Sequence, residues 1–396
     1  RLFFGKPYFL NVTMSLEGID IYILAALFVC WVVQMLYYWV YLAKPYYYQR
    51  AVDKGKITFS PASPPVSLVI YARNEAKNLE KYLPDILEQA YPCYEVVVVD
   101  DCSSDDTENL LKRIRSQYKH LYSTYVPPDS RNAARKKLAL TLGIKAAHYD
   151  SLLFLDAGSH PVSPDWLRLM ARHFVGKKTI VLGFSALDEC PFRYAVYDYF
   201  FSGLQMMALA LVNRAYMGNG KNLGYSKNEF MRQRVFSDFN FLETGDDDLL
   251  ISELAGPDNV AVELSSDSVT RVDMNELWNW KKLKIQRMTT WPFYRKFPIV
   301  FWNIEKLSRM LFYILFAGAL VRFSLHGRVL GMVISAFLLR FLTQFVVINR
   351  TAKVLKLPEF DIRLLIFDFI QPLVNGYFYL CKRFKSRRKE FLRYGK

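Results

Sequence analysis

Residues 65–107 read PVSLVIYARNEAKNLEKYLPDILEQAYPCYEVVVVDDCSSDDT. Two apolar runs, VSLVIYA and EVVVVD, flank a helix-patterned segment from Ala76 to Gln89. Valines without polar alternation suit strands buried on both faces, and the intervening length fits a βαβ crossover. The stretch therefore predicts a parallel sheet covered by helices. Asp100 and Asp101 end the second strand, at the sheet edge where open α/β folds gather ligand-contacting groups. Acidic residues are also ordinary turn and N-cap residues, and Ser103, Ser104 or Asp105 is placed to cap a helix beginning near Thr107. No GxGxxG follows either strand, which removes the dinucleotide-binding fingerprint.

Downstream, SRNAARKKLALTLGIKAAHYDSLLFLDAGSHPVSPDWLRLM (130–170) predicts a basic amphipathic helix from Ala133 to Ala147 and an apolar strand ending at Asp156. Lys136 and Lys137 open that helix, either as solvated lysines or as neighbours of a diphosphate. The aromatic and Met-rich stretch from Tyr194 to Met207 is long enough for a helix, and core packing is its simpler reading over an acceptor groove. Gly218, Gly220 and Gly224 loosen the backbone around NGKNLGY. FLETGDDDLLISELAG (241–256) then sets Asp246, Asp247 and Asp248 side by side at a helix start. Adjacent like charges are unfavourable unless a helix N-terminus, a metal or a proton-transfer role uses them, and capping by Thr244 or Asp246 is the plain alternative.

The flanks of this soluble stretch are different. Residues 21–43, IYILAALFVCWVVQMLYYWVYLA, carry no charge and are long enough to cross hydrocarbon about 30 Å thick. Their length, and the lack of a small-residue cleavage site, favour a spanning helix over a signal peptide. Residues 1–20 are then a non-cytoplasmic segment and 44–65, with Lys44, Arg50, Lys54 and Lys56 and then Pro61, Pro64 and Pro65, a basic linker. After a soluble domain over 66–297, a membrane region over 298–381 is expected, with a hairpin at 310–348 in which Arg340 must face protein, water or headgroups. The segment 364–381 contains Asp368, Gln371, Pro372 and Asn375, and is expected to re-enter at Pro372 or to lie at the interface. The tail 382–396 has eight Lys or Arg against one Glu. By the positive-inside rule both it and the soluble domain belong in the cytoplasm.

Over the 396 residues, 52 Lys and Arg against 37 Asp and Glu give +15, beside 52% hydrophobic and 16% aromatic residues. A basic protein at an anionic membrane explains both features, and a nucleic-acid polymer is not expected as partner. Five cysteines without metal or disulfide spacing suit a reducing compartment. The histidines are scattered, with no His-Glu-x-x-His of a competing hydrolase. Oligomeric state is not indicated.

In order, YARNEAKNLEKYL, EVVVVDDCSSDDT, KKLALTLGIKAA, LLFLDAGSHPVSPDW, NGKNLGYSKNEF and TGDDDLLI resemble the motifs of family 2 glycosyltransferases, across roughly 66–291. The resemblance implies an α/β GT-A domain with a mostly parallel central sheet, held by N- and C-terminal transmembrane or membrane-associated helices in a bacterial inner membrane. It implies inverting transfer from a nucleotide sugar to a lipid-linked or polysaccharide-precursor acceptor, with membrane lipids as further partners. Carried over by position, Ala72, Arg73, Asn74 and Glu75 frame the nucleotide, Asp100 or Asp101 contacts the nucleoside, and Lys136 or Lys137 neutralises phosphate. Asp156 takes the first position of the metal-associated DxD motif, for Mg²⁺ or Mn²⁺, but Gly158 stands where the second Asp is usual. Asp247 aligns with the general base, with Asp246 beside it, and Asn219, Gly220 and Asn222 with the sugar site. The Gln-x-x-Arg-Trp motif of many membrane-bound relatives is altered to Lys284-Ile285-Gln286-Arg287-Met288. Arg287 is its retained donor-binding member, and Trp280 or Trp291 offers an aromatic surface out of register. That departure argues for single transfer. A processive polysaccharide synthase, or a non-catalytic scaffold suggested by Gly158, are the alternatives.

Overall fold

The computed structural model describes residues 18–394 except 128–133, 189, 234–235, 237–238, 240 and 275, and for 382–394 it describes the backbone alone. The chain starts with α1 (Gly18–Leu36), passes through a π-helical turn (Tyr37–Leu42) and continues into α2 (Lys44–Asp53). The first half of the expected basic linker is thus helix. Pro45 sits in the first turn of α2, where its missing N–H costs nothing. The expected non-cytoplasmic segment lies almost wholly outside the described residues, as do the side chains of the basic tail.

The quoted stretch folds as read, into β1 (Val66–Ala72), α3 (Ala76–Leu87) and β2 (Tyr94–Asp100). Leu79, Tyr82, Leu83, Ile86 and Leu87 form the buried stripe of α3, at the three- and four-residue spacing that one helical face requires. Then come α4 (Thr107–Gln117), β3 (Leu121–Tyr125), α5 (Arg135–Ala146) and β4 (Ser151–Asp156). Asp105 accepts the Thr107 N–H at the start of α4. Gly143 lets α5 lie directly on the sheet, because a Cβ there would stand 2.7 Å from Val69 and 2.8 Å from Val99. The next elements are β5 (Ser159–Pro161), α6 (Trp166–Ala171), β6 (Ile180–Gly183), β7 (Ser185–Asp188), α7 (Arg193–Ala210), β8 (Leu223–Ser226) and α8 (Lys227–Gln233). The soluble part ends with α9 (Asp248–Leu254), β9 (Val260–Glu263), β10 (Thr270–Asp273) and α10 (Leu277–Thr290).

The main sheet runs β3-β2-β1-β4-β8-β6-β9, parallel except that β8 is antiparallel to both neighbours, and a small sheet runs β5-β10-β7. Strand order reverses between β1 and β4, the switch point where α/β sheets open a crevice. In register, Ala72 lies opposite Asp100 and Tyr71 opposite Asp156, so the strand-end acids share one edge. α7 is largely buried, as core packing predicts.

The remaining helices are α11 (Lys296–Arg322), α12 (Gly327–Val354) and α13 (Leu364–Tyr394). Residues 18–53, 327–354 and 364–381 are long and apolar enough to cross a membrane. α1 and α11 run antiparallel, tied at one end by Arg322 to Asp20 (2.8 Å) and at the other by Tyr37 Oη to the Phe301 carbonyl (2.7 Å). Arg340 faces protein: it donates to Gln34 (3.0 Å) and to Asp368 (2.8 Å), whose other oxygen takes Arg309 (2.8 Å). Each buried charge here has a partner, as burial demands.

α13 corrects the expectation of a break. It continues unbroken through Pro372, because Asp368 is anchored by two arginines before the proline while Val374 and Phe378 pack beside Trp280 after it. One face of α13 therefore lies on the soluble domain. Ile366, Phe369, Leu373, Tyr377 and Leu380, spaced by three or four, are each at least half exposed on the other.

Candidate active site

A cavity of about 730 Å³ opens at the switch point. Tyr71, Arg73, Glu75 and Asp101 line one side, Lys136, Asp156, Gly158, Asn219 and Lys221 the middle, and Asp246, Asp247 and Arg287 the other side. Most of the residues expected to act together are thus brought together.

On the Tyr71 side Asp101 is fully buried and receives Tyr71 Oη (2.9 Å) and both Nε (2.9 Å) and a terminal nitrogen (2.7 Å) of Arg135. Asp100 instead closes its own turn, accepting the Ser103 N–H at 3.1 Å, and does not line the cavity. Asn74, held at φ +56°, braces that turn by accepting the Ser104 N–H (2.7 Å). Ala72 is buried and accepts the Asp101 N–H through its carbonyl. Ala72, Asn74 and Asp100 therefore shape the rim, while Arg73, Glu75 and Asp101 face the space. Burial pushes the Glu75 carboxyl up.

Asp156 lies between two ammonium groups, Lys136 at 2.9 Å and Lys221 at 2.5 Å. Burial alone would raise its pKa, but the two lysines outweigh it and hold the carboxyl well below the usual range. Lys136 also meets Asp246 at 3.0 Å. Burial would lower its pKa, yet Asp156, Asp246 and Asp247 keep it well above the ordinary value. Lys137, one residue on and about 100° round the helix, points elsewhere. It is buried and donates to the carbonyls of Phe239 (2.6 Å) and Leu242 (3.1 Å), so it is no part of the cavity.

The acidic triplet divides its work. Gly245, at φ +94°, turns the chain into α9. Asp248 is buried and accepts Tyr294 Oη (2.6 Å) and the Thr290 hydroxyl, which fastens α9 to α10. Asp247 faces the cavity, accepting the backbone N–H of Gly220 (2.8 Å) and of Asp248 (2.7 Å). Burial first, then the charges of Asp246 and Asp248, push its pKa up to about 7. A carboxylate so tuned is suited to proton transfer near neutral pH.

Three other expected residues are displaced. Asn222 is buried as a three-way clamp, donating to the carbonyls of Phe184 and Ser268 and accepting Trp166 Nε1 (3.1 Å), so it holds the loop of Asn219 and Gly220 from behind. Trp280 and Trp291 line a second, smaller cavity of about 60 Å³ between α7, α10, α11 and α13. Arg287 borders both cavities and donates to Ser202 Oγ (2.6 Å). The sequence reading missed Arg135, Asn78 and Lys221. Only Lys221 carried a signal, as the lysine inside NGKNLGY.

The donor chemistry suits a hard divalent cation. Asp156 and Asp246 place carboxylate oxygens 2.9 and 3.0 Å from the one Lys136 ammonium, so two hard ligands converge where a positive charge already sits. Gly158 adds none, and among the described residues no group of three His, Cys, Asp or Glu is disposed for a metal. Phosphate and water would complete any shell.

A family model described as glycosyl transferase family 2 matches residues 67–235. Poly-beta-1,6-N-acetyl-D-glucosamine synthase of Staphylococcus aureus (strain COL) is 29% identical over 92 residues, covering 23% of this chain and 21% of the relative. The putative teichuronic acid biosynthesis glycosyltransferase TuaG of Bacillus subtilis (strain 168) is 29% identical over 77 residues, 19% of this chain and 31% of the relative. The matches thus span about a fifth to a third of these curated relatives. The solved structure of the mannosyltransferase PcManGT from Pyrobaculum calidifontis, in complex with GDP-Man and Mn²⁺, shares the fold, with a TM-score of 0.51 and 17% identity over 84% of this chain and 97% of that one.

Proposed function

We propose, from the glycosyl transferase family 2 model that matches residues 67–235, that the chain is a membrane-anchored inverting glycosyltransferase of that family. It moves a sugar from a nucleotide-sugar donor to a lipid-linked or polysaccharide-precursor acceptor at the cytoplasmic face of a bacterial inner membrane. The observation that carries this reading is the position of Asp247, which faces the same cavity as Asp101, Lys136 and Asp156 and whose pKa is pushed up to about 7.

In the reaction the acceptor hydroxyl oxygen forms a bond to the anomeric carbon as the bond from that carbon to the diphosphate oxygen breaks. The hydroxyl proton passes to the Asp247 carboxylate, and the bonding electron pair leaves with the nucleoside diphosphate. Asp101, Arg73 and Glu75 orient the nucleoside. Lys136 offers charge to the phosphates, and the Gly220 N–H keeps Asp247 aimed. Asp156 and Asp246 would hold a divalent cation, which when bound supplies Lewis-acid neutralisation of the phosphate oxygens.

Membrane placement rests on residues 18–53, 327–354 and 364–381, each long and apolar enough to cross, and the exposed apolar stripe of α13 faces lipid. Because α13 returns along the soluble domain, the basic tail stays on that side, as its charge favours. Elongation of a polymer is the second reading, favoured by the name of the Staphylococcus relative. The test is incubation of the purified full chain with a panel of nucleotide sugars and native lipid extract, followed by mass spectrometry. Nucleoside diphosphate release matched by a single sugar added to an acceptor supports transfer. A ladder of products supports elongation, and neither release nor product overturns the proposal.

A further inference from the structure

The smaller cavity has an unbalanced charge. Three cations line it, Lys284, Arg287 and Lys306, against one carboxylate, Asp198. Asp198 is already committed: its two oxygens take Lys284 Nζ (2.5 Å) and Trp280 Nε1 (3.1 Å). Arg287 has a neutral hydrogen-bond partner, Ser202, and lies 5.3 Å over the Tyr199 ring. The Lys306 ammonium lies 4.5 Å over the Trp291 ring. Among the described residues neither Arg287 nor Lys306 has a carboxylate within ion-pair distance. Both side chains are partly buried, a setting that favours a counter-ion, and about 60 Å³ between them is room for several waters or a small anion.

The position of this cavity selects the anion. Its far wall is α13, which contributes the side-chain amides of Gln371 and Asn375. The opposite face of α13 is the exposed apolar stripe. Toward the soluble domain the cavity shares Leu283 and Arg287 with the large cavity that holds Asp247. A ligand seated here has its charged group between lipid and reacting centre. Resting on the glycosyltransferase reading, we propose that this cavity binds the phosphate of an acceptor whose sugar is linked through phosphate to a lipid, with Lys306 and Arg287 as counter-ions of that phosphate and the reacting hydroxyl on the sugar. The acceptor's reacting hydroxyl then reaches Asp247 past Arg287, while its chain leaves along α13.

The test compares binding of farnesyl phosphate, farnesol and inorganic phosphate to the purified full chain in nanodiscs, for wild type, Lys306→Met and Lys306→Arg. Nucleotide binding by UDP and GDP is measured beside it. Farnesyl phosphate is expected to bind the wild type more tightly than either control. Lys306→Met weakens it about 10- to 100-fold, the worth of a charge-assisted contact, and Lys306→Arg restores most of the loss. UDP or GDP affinity and the melting temperature stay unchanged in Lys306→Met. Equal binding of farnesyl phosphate and farnesol, or no loss in Lys306→Met, overturns the phosphate site. Inorganic phosphate binding as tightly as farnesyl phosphate overturns the lipid source. If neither nucleotide nor any nucleotide sugar binds the wild type, the glycosyltransferase reading fails as well; intact donor binding with phosphate-independent acceptor binding overturns this inference alone.

Discussion

Replacing Asp247 by Asn separates the chemistry of the site from its architecture. The carboxylate accepts two backbone N–H groups, from Gly220 at 2.8 Å and from Asp248 at 2.7 Å, one on each oxygen. An amide has one acceptor oxygen, so one N–H meets an NH₂ donor, at a cost of about 1–3 kcal/mol. A second effect opposes this. A carboxyl raised from 3.8 to about 7 binds its proton more tightly in the folded than in the unfolded chain. Stability is therefore lost as pH rises from about 4 to about 7, by at most about 4 kcal/mol, and water in the cavity reduces that figure. Asn carries no such charge. At pH 8 the two effects nearly offset, so the variant melts within a few degrees of the wild type; at pH 4, near the foot of that window, the lost hydrogen bond dominates and the variant is the less stable. Transfer, by contrast, drops about 10²- to 10⁴-fold, the usual worth of a positioned base. In the wild type, kcat/KM rises roughly tenfold per unit below pH 7 and levels above it. The assays are calorimetry at the two pH values and donor turnover across the pH range. Near-normal turnover of Asp247→Asn, or a rate independent of pH between 5 and 8, would refute the assignment of the base.

Other outcomes follow from the same geometry. Lys137→Met leaves the Phe239 and Leu242 carbonyls without their donor, and should lower stability by about 2–3 kcal/mol with nucleotide affinity unchanged, read by thermal melting and calorimetric titration. Asp248→Ala removes the acceptor for Tyr294 and Thr290 and should cost about 1–3 kcal/mol in melting experiments, a larger loss of fold than Asp247→Asn shows at pH 8. Asp368→Asn removes the counter-charge of Arg340 and leaves Arg309 with Glu305 alone, and should destabilise the detergent-solubilised chain by about 3–5 kcal/mol. Chelation with EDTA should weaken UDP or GDP binding and Mn²⁺ should restore it, with Asp156→Asn abolishing the Mn²⁺ response; full affinity in EDTA would remove the cation from the account.

Local pattern carried much of this fold. The valine-rich strands, the stripe of α3 and the position of Asp156 at a strand end are consequences of short-range periodicity, and all three were readable in order. The sequence marks two adjacent lysines but not their directions, because which of Lys136 and Lys137 meets Asp156 depends on how α5 seats on the sheet. Lys221 and Asp156 are 65 residues apart and meet only when β8 and its loop arrive beside β4. The family resemblance of NGKNLGY puts Asn222 at the sugar site, whereas its amide is consumed by Phe184, Ser268 and Trp166. Pro372 signalled a break that tertiary anchoring on both sides overrides. The composition of residues 44–53 suggested a linker, yet they continue the first helix and bury Gln49.

The measurement that bears most directly on the account is the stereochemistry of the first product. A single displacement with Asp247 as base turns the anomeric centre over once. Nuclear magnetic resonance of the glycosylated acceptor, taken early in the reaction, should show the anomeric configuration opposite to that of the nucleotide-sugar donor. Retention of the donor's configuration would require a second displacement, and would contradict the role assigned here to Asp247.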